Sequence, residues 1–191
     1  MVAAMREMPR RLYSLEEYFA LEGVGEVRYE YWDGEIVCIS GGSRQHATAS
    51  SNLHFRLSQR LQGKNCRAFT GELQIKTPIL LPYRYPDVSV VCGKPEFDKI
   101  AGFDVLVNPI LVVEVLSPGT AHLDRKEKRE AYQGVPSLME YLLVSQDAPH
   151  ITQYSRQPDG QWLRQDYGGL LTVITLPSIE CTLAMSEVYD G

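Results

Sequence analysis

Several things are missing from this chain, and each absence removes a class of protein. No apolar run is long enough to span a bilayer, which argues against a helical membrane protein. The start, Met1 to Arg11, carries charges but no long apolar stretch, so no signal peptide is expected. Only four cysteines occur in 191 residues, Cys38, Cys66, Cys92 and Cys181, and none forms a C-x-x-C pair or lies at zinc-site spacing from a histidine. Three of them sit in apolar, strand-like runs and are expected to be buried, reduced thiols, which suits a cytoplasmic location. Positive charge is also short: Lys and Arg number 19 against 24 Asp and Glu, for a net charge of −5. A protein that coats nucleic acid by bulk electrostatics is usually basic. An enzyme that reaches phosphates through a metal ion and a local basic patch remains compatible, because a divalent cation can be the largest charge in a site. No internal repeat, low-complexity segment or linker is visible.

What remains is ordinary globular composition, 44% hydrophobic and 23% charged. The length suits one domain over residues 1–191, with enough chain to bury a sizeable core.

Local patterns predict a mixed α/β order. Ser14-Leu15-Glu16-Glu17 reads as a capping box opening a short helix that Gly23 and Gly25 end. Asp33-Gly34 between two β-prone runs predicts a hairpin. After the Gly41-Gly42-Ser43 breaker, His46, Ala49, Leu53, Leu57 and Leu61 repeat at helical spacing, with Gly63 as the stop. Strands are predicted at Cys66–Thr70, Glu72–Thr77 and Asp87–Cys92. Pro78 to Pro86 is a link, and Gly93 to Asn108 reads as polar and irregular. Ile110 to Leu116 has the continuous apolar run of a buried central strand, broken by Ser117-Pro118-Gly119-Thr120. A charged helix over Asp124 to Gln133 follows, and then alternating strands and turns.

Two residues break these patterns. Glu114 interrupts the most apolar strand, where an ionised carboxylate costs several kcal/mol, roughly, unless it is paired or bound to metal. Asp87 follows Pro86 and heads another apolar strand. Alone it reads as a turn residue. Together they place an acid at the head of one strand and an acid inside a later one, and adjacent strands would bring both within reach of one Mg²⁺. Asp124, Lys128 and Tyr132 step by four and share one helix face, a spacing that fits both a solvated face laced with ion pairs and an ammonium projected toward the acids. Gln74 and Lys76 alternate with Leu73 and Ile75 and read as solvent-facing.

The combination Tyr-Pro-Asp87-Val-Ser-Val-Val, Val-Val-Glu114-Val-Leu-Ser-Pro and Asp124-x-x-x-Lys128-x-x-x-Tyr132 resembles the Uma2 family, a branch of the PD-(D/E)XK restriction-endonuclease-like superfamily. Glu30 with Asp33-Gly34-Glu35, and the helical His46, also look like family features. The resemblance runs from about Ser14 to Val188. It implies a restriction-endonuclease-like core, a central mixed β-sheet flanked by helices. It also implies that Asp87 and Glu114 ligate Mg²⁺ or Mn²⁺, with the Val115 carbonyl as a further ligand. In the superfamily pattern the lysine lies two residues past the acid. Here that position is Leu116, so Lys128 resembles a migrated replacement, with Lys126 as its nearest rival. Glu30, His46, Asp124 and Tyr132 would support the site, and Arg44, Arg56, Arg125 and Arg129 are candidate phosphate contacts.

The implied activity is metal-assisted hydrolysis of DNA, with Lys128 positioning or deprotonating water or neutralising charge on the phosphate. Cutting both strands would favour a homodimer. Two other readings stay open: a nuclease-fold binding or regulatory protein without catalysis, and a structural ion pair at Glu114 with no metal site.

Overall fold

The computed structural model of the protein describes residues 11–25, 27–39, 42–78, 83–117 and 121–190. The leader reading of residues 1–10, and parts of the breakers and link at 40–41, 79–82 and 118–120, lie outside them.

The chain opens with α1 (Leu15–Glu22), capped by Ser14, whose side chain accepts the Glu17 N–H while Glu17 bonds back to the Ser14 N–H. The hairpin β1 (Arg28–Trp32) and β2 (Glu35–Ile39) turns at Asp33-Gly34, both with positive φ, the conformation that an Asp-Gly pair accepts at low cost. Helix α2 (Arg44–Arg60) follows, capped by Ser43. Its stripe Ala49, Leu53, Leu57 and Leu61 is buried as the spacing predicts. Burial of Leu53 and Leu57 contributes about 1.5–3 kcal/mol each.

Next come β3 (Cys66–Thr70), β4 (Ile75–Lys76), β5 (Tyr83–Arg84), β6 (Val88–Cys92), β7 (Phe97–Ile100), β8 (Phe103–Leu106) and β9 (Leu111–Leu116). A helical segment then runs through α3 (Ala121–Leu123), a π-helical turn (Asp124–Lys128) and α4 (Arg129–Gln133). Strands β10 (Glu140–Ser145), β11 (His150–Arg156), β12 (Trp162–Gly168), β13 (Val173–Leu176) and β14 (Cys181–Ala184) lead to the short α5 (Met185–Val188).

The expected mixed α+β class holds, and the strands divide into two large sheets and a hairpin. One sheet runs β2-β1-β5-β4-β8-β7, the other β12-β11-β10-β9-β6-β3, and β13 pairs with β14. In the second sheet β9 is parallel to β10 and antiparallel to β6. Alternation along β9 sends Leu111, Val113 and Val115 to the core under α2, and Val112 and Leu116 to a second core shared with Tyr132 and Tyr141. Glu114 has the parity of the second set. No helix among the described residues is long and apolar enough to cross a membrane.

Three expectations need correction. The segment expected to be irregular, 93–108, contains the β7–β8 hairpin, turned at Ala101-Gly102 with φ of 51° and 91°. Alanine carries no turn signal, and Asp98, Lys99 and Asp104 mask the alternation. Gln74 is 3% exposed and donates to the Tyr18 hydroxyl, while Lys76 pairs with Asp98, so neither simply faces solvent. The cysteines are not all reduced. Cys66 and Cys92 are direct partners in the β3–β6 ladder, with Cα atoms 3.9 Å apart, and form a disulfide. Cys38 is exposed and only Cys181 is a buried free thiol. Disulfides are rare in a reducing cytosol, so the cysteines no longer support that location.

Candidate active site

The β6–β9 register sets the site. Val88 lies opposite Val113, so Asp87, one residue before β6, stands level with Glu114. Asp87 is tied across by its Oδ2, which accepts the Val115 N–H at 2.7 Å. Pro86 keeps the chain extended into this position. His46, in the first turn of α2, brings Nε2 to 3.3 Å from the same oxygen and also bonds to the Val115 backbone. Asp87, Val115 and His46 therefore form one cluster, and the side chains of Asp87 and His46 keep about a fifth of their surface in water.

Glu114 is 4% exposed. Its Oε1 accepts from the Tyr132 hydroxyl at 2.9 Å and from Lys128 Nζ at 3.3 Å. The same ammonium lies 3.1 Å from Glu30 Oε1 and 3.2 Å from Asp124 Oδ1. One buried lysine is thus shared by three carboxylates from β1, β9 and the π-helical turn. Lys126 is exposed, so of the two lysines it is Lys128 that lies in the buried cluster with Glu114. A π turn is rare in helices and is often found at functional sites. Here it lies between Asp124 and Lys128 and presents both side chains to the buried cluster.

Two residues that local patterns did not single out complete the arrangement. Arg84, fully buried, brings Nη1 to 3.9 Å from Glu30 Oε2 and donates to the Tyr31 carbonyl, while its guanidinium lies 3.8 Å from the Trp32 ring centre. Arg28 bonds to Glu72 and stacks near Tyr85. No periodicity marks Arg84. Its only signal is its place three residues before Asp87. The phosphate candidates Arg44 and Arg125 are exposed, and Arg56 and Arg129 are half-buried. None of the four lines the cleft at Asp87.

That cleft has a volume of about 730 Å³ and is lined by Arg28, Cys38, His46, Glu72, Tyr85 and Asp87 among others. Glu114, Lys128 and Tyr132 are not among its walls.

Charge crowding governs the electrostatics. Burial pushes the Glu114 carboxyl well above its usual range; Lys128 opposes this, and Asp124, Asp87 and Glu30 add to it. Burial works against the Lys128 charge, but the carboxylates of Glu114, Glu30 and Asp124 outweigh it and hold the ammonium protonated. The Tyr132 hydroxyl is raised by burial and by Glu114 and Glu30, so it stays a donor. His46 is raised chiefly by its hydrogen bond to Asp87, against burial. Arg84 is lowered by burial, with Glu30 opposing.

Among the described residues no group of three or more His, Cys, Asp or Glu side chains forms a ready metal cage. The Asp87 and Glu114 carboxylates and the Val115 carbonyl are oxygen donors of the kind a hard divalent cation takes, and the His46 imidazole adds a nitrogen beside Asp87.

Comparison with known proteins extends this picture. Residues 15–186 match the family model Uma2, described as "Putative restriction endonuclease". The uncharacterized protein slr1290 of Synechocystis sp. is 36% identical over 191 residues, covering all of this chain and 98% of that protein. The uncharacterized protein sll1609 of the same organism is 30% identical over 159 residues, covering 83% of this chain and 89% of that protein. Among solved structures, one described as a putative nuclease belonging to DUF820 from Anabaena variabilis superposes with a TM-score of 0.68 at 18% identity. It covers 84% of this chain and 89% of its own, and at that identity it establishes a shared fold. With a family model spanning most of its length and a full-length relative above 30% identity, the chain belongs to the Uma2 family.

Proposed function

We propose that the chain is a divalent-metal-dependent endonuclease that hydrolyses DNA phosphodiester bonds at Asp87, Glu114 and Lys128. The observation that carries this reading is the β6–β9 register, which sets Asp87 level with Glu114 while a buried ammonium touches Glu114 and an open cleft reaches Asp87. Family membership and the nuclease-like fold support the same chemistry.

Asp87, Glu114 and the Val115 carbonyl would hold Mg²⁺ or Mn²⁺, which polarises a phosphate and lowers the pKa of bound water. The surplus of carboxylates over cations around Glu114 favours such an ion, because three acids share one ammonium. Lys128 keeps its proton and so stabilises negative charge building on the phosphate rather than accepting a proton. Tyr132 and Asp124 hold that lysine and its glutamate in place. Arg28, on the cleft wall, supplies a positive charge for the DNA backbone. With one site per chain, a cut through both strands calls for a two-fold pair of chains.

A second reading, a nuclease-fold protein that binds nucleic acid or regulates without cutting, is favoured by one observation: Lys128 and Tyr132 already occupy Glu114 Oε1. Calorimetric titration with Mn²⁺ and plasmid nicking separate the two. Wild type should bind Mn²⁺ and nick; Asp87→Ala should lose the heat of binding and Glu114→Ala the nicking. Equal nicking by wild type and Glu114→Ala, purified side by side, would reject catalysis at this site.

A further inference from the structure

Strand β12 borders the sheet that carries the candidate site. One row of its backbone groups pairs with β11 over seven residues, and among the described residues no strand meets its outer row. Such an edge is a template for another strand unless like charges, proline or a bulge blunt it. This strand contains no proline, and its two charges are opposite in sign: Arg164 and Asp166 flank Gln165.

The sequence of β12 complements itself. When two copies run antiparallel about a two-fold axis at Gln165, Arg164 faces the partner's Asp166, and the reciprocal pair forms on the other side of the axis. Leu163 faces the partner's Tyr167 on the opposite surface of the ribbon. Trp162 faces the partner's Gly168, where an aromatic ring can cover the bare backbone. Opposite charges and aromatic–aliphatic pairs are favourable directly across antiparallel strands, and like charges are not. Moving the axis to Arg164 sets arginine against arginine, and moving it to Asp166 sets aspartate against aspartate. The charge pattern therefore selects one register.

Arg164, Asp166 and Leu163 are accessible at this edge, while Trp162 and Tyr167 are half-buried against the cores. Arg164 is 56% and Asp166 41% exposed, and Leu163 is 47% exposed. Their geometry is prepared within the chain, since Thr152 donates to Asp166 Oδ1 at 2.7 Å and Arg164 Nε lies 3.0 Å from Asp166 Oδ2. Just past the end of the strand, Leu171 is 98% exposed and extends the apolar surface beyond the paired backbone.

We propose that β12 joins two copies of the chain into a two-fold dimer, by antiparallel edge pairing centred on Gln165. This deepens the proposed two-site endonuclease by naming the surface that pairs the sites. Its test measures mass in the absence of DNA and metal, so its failure is distinct from a failure of the cleavage reading.

Sedimentation velocity over a concentration series should show wild type as a dimer. Arg164→Glu sets acid against acid at both ends of the pairing and should shift the protein to monomer. The exchange Arg164→Asp with Asp166→Arg keeps the pattern self-complementary and should restore the dimer. In a Cys38→Ser background, Gln165→Cys should give covalent dimers with a short bis-maleimide, a readout that does not depend on how the charge variants fold. The proposal is overturned by a monomeric wild type or by an Arg164→Glu variant as dimeric as wild type. It also fails if the exchange variant stays monomeric while folded by circular dichroism, or if Gln165→Cys cross-links no better than its parent.

Discussion

Two glutamates lie buried on the neighbouring parallel strands β9 and β10, and their surroundings differ in kind. Glu140 on β10 is 2% exposed and receives neutral donors: the Ser178 N–H at 2.9 Å, the Ser178 hydroxyl and the Gln153 side-chain amide. Burial raises its carboxyl, and those three hydrogen bonds pull it back. These contacts tie β10 to β11 through Gln153 and to the segment leading into β14 through Ser178, so the group works as a structural staple. Glu114 on β9 is equally buried, yet its partners are an ammonium claimed by two other acids and a tyrosine hydroxyl. Neutral donors that belong to one carboxylate describe a finished interaction. A cation divided among three acids, with Arg84 reaching only Glu30, leaves negative charge around Glu114 that, on the proposed reading, a divalent ion would neutralise. Burial alone therefore does not separate the two glutamates; the charge balance around them does.

The contrast can be broken, beginning with the largest effect. Lys128→Met should lower stability by about 3–5 kcal/mol, because it leaves three buried carboxylates without their shared cation. Chemical denaturation measures this, and a near-neutral result would mean the cluster is not held by charge. Glu114→Gln should cost activity on the order of 10²–10³-fold in plasmid nicking, while Glu140→Gln should cut like wild type. Equal activities would erase the distinction between the two glutamates. Glu140→Ala should cost about 1–3 kcal/mol through the donors it strands at Ser178 and Gln153, with no change in Mn²⁺ affinity by calorimetry.

The smallest effect is a pH dependence at His46. Its folded pKa is raised above 6.5, chiefly by the bond to Asp87. The stability it contributes is fully present below 6.5 and is lost as pH rises through the higher folded value. The ring is partly exposed, so the contribution should be below about 1 kcal/mol. Denaturation midpoints of wild type and His46→Asn should converge toward high pH, and parallel curves would show that His46 carries no such linkage.

Much of this is legible in the sequence. Glu114 stood out because a charge inside an apolar run is costly wherever the run is buried, and the run Leu111–Leu116 is buried throughout. The Ser14 capping box, the Asp33-Gly34 hairpin and the α2 stripe were legible because each depends on residues within a turn or two of one another. The β7–β8 hairpin was not, since Ala101 adopts a positive φ that its side chain does not advertise. The Cys66–Cys92 disulfide was not, since 26 residues separate its halves and only the strand register brings them together. Arg84 acquired meaning only when β5 was placed beside Glu30, and the role of Glu30 as a partner of Lys128 emerged only with the packing of β1.

By itself, then, the sequence determined most of the elements and the anomalous acids, because turn chemistry, helical periodicity and the cost of a charge in an apolar strand act over short stretches of chain. Tertiary structure decided which lysine faces Glu114, which amide holds Asp87, and that three carboxylates divide one ammonium. Those outcomes depend on register between strands and on the π turn at Asp124–Lys128, where a shift of one residue turns a side chain from one face to the other.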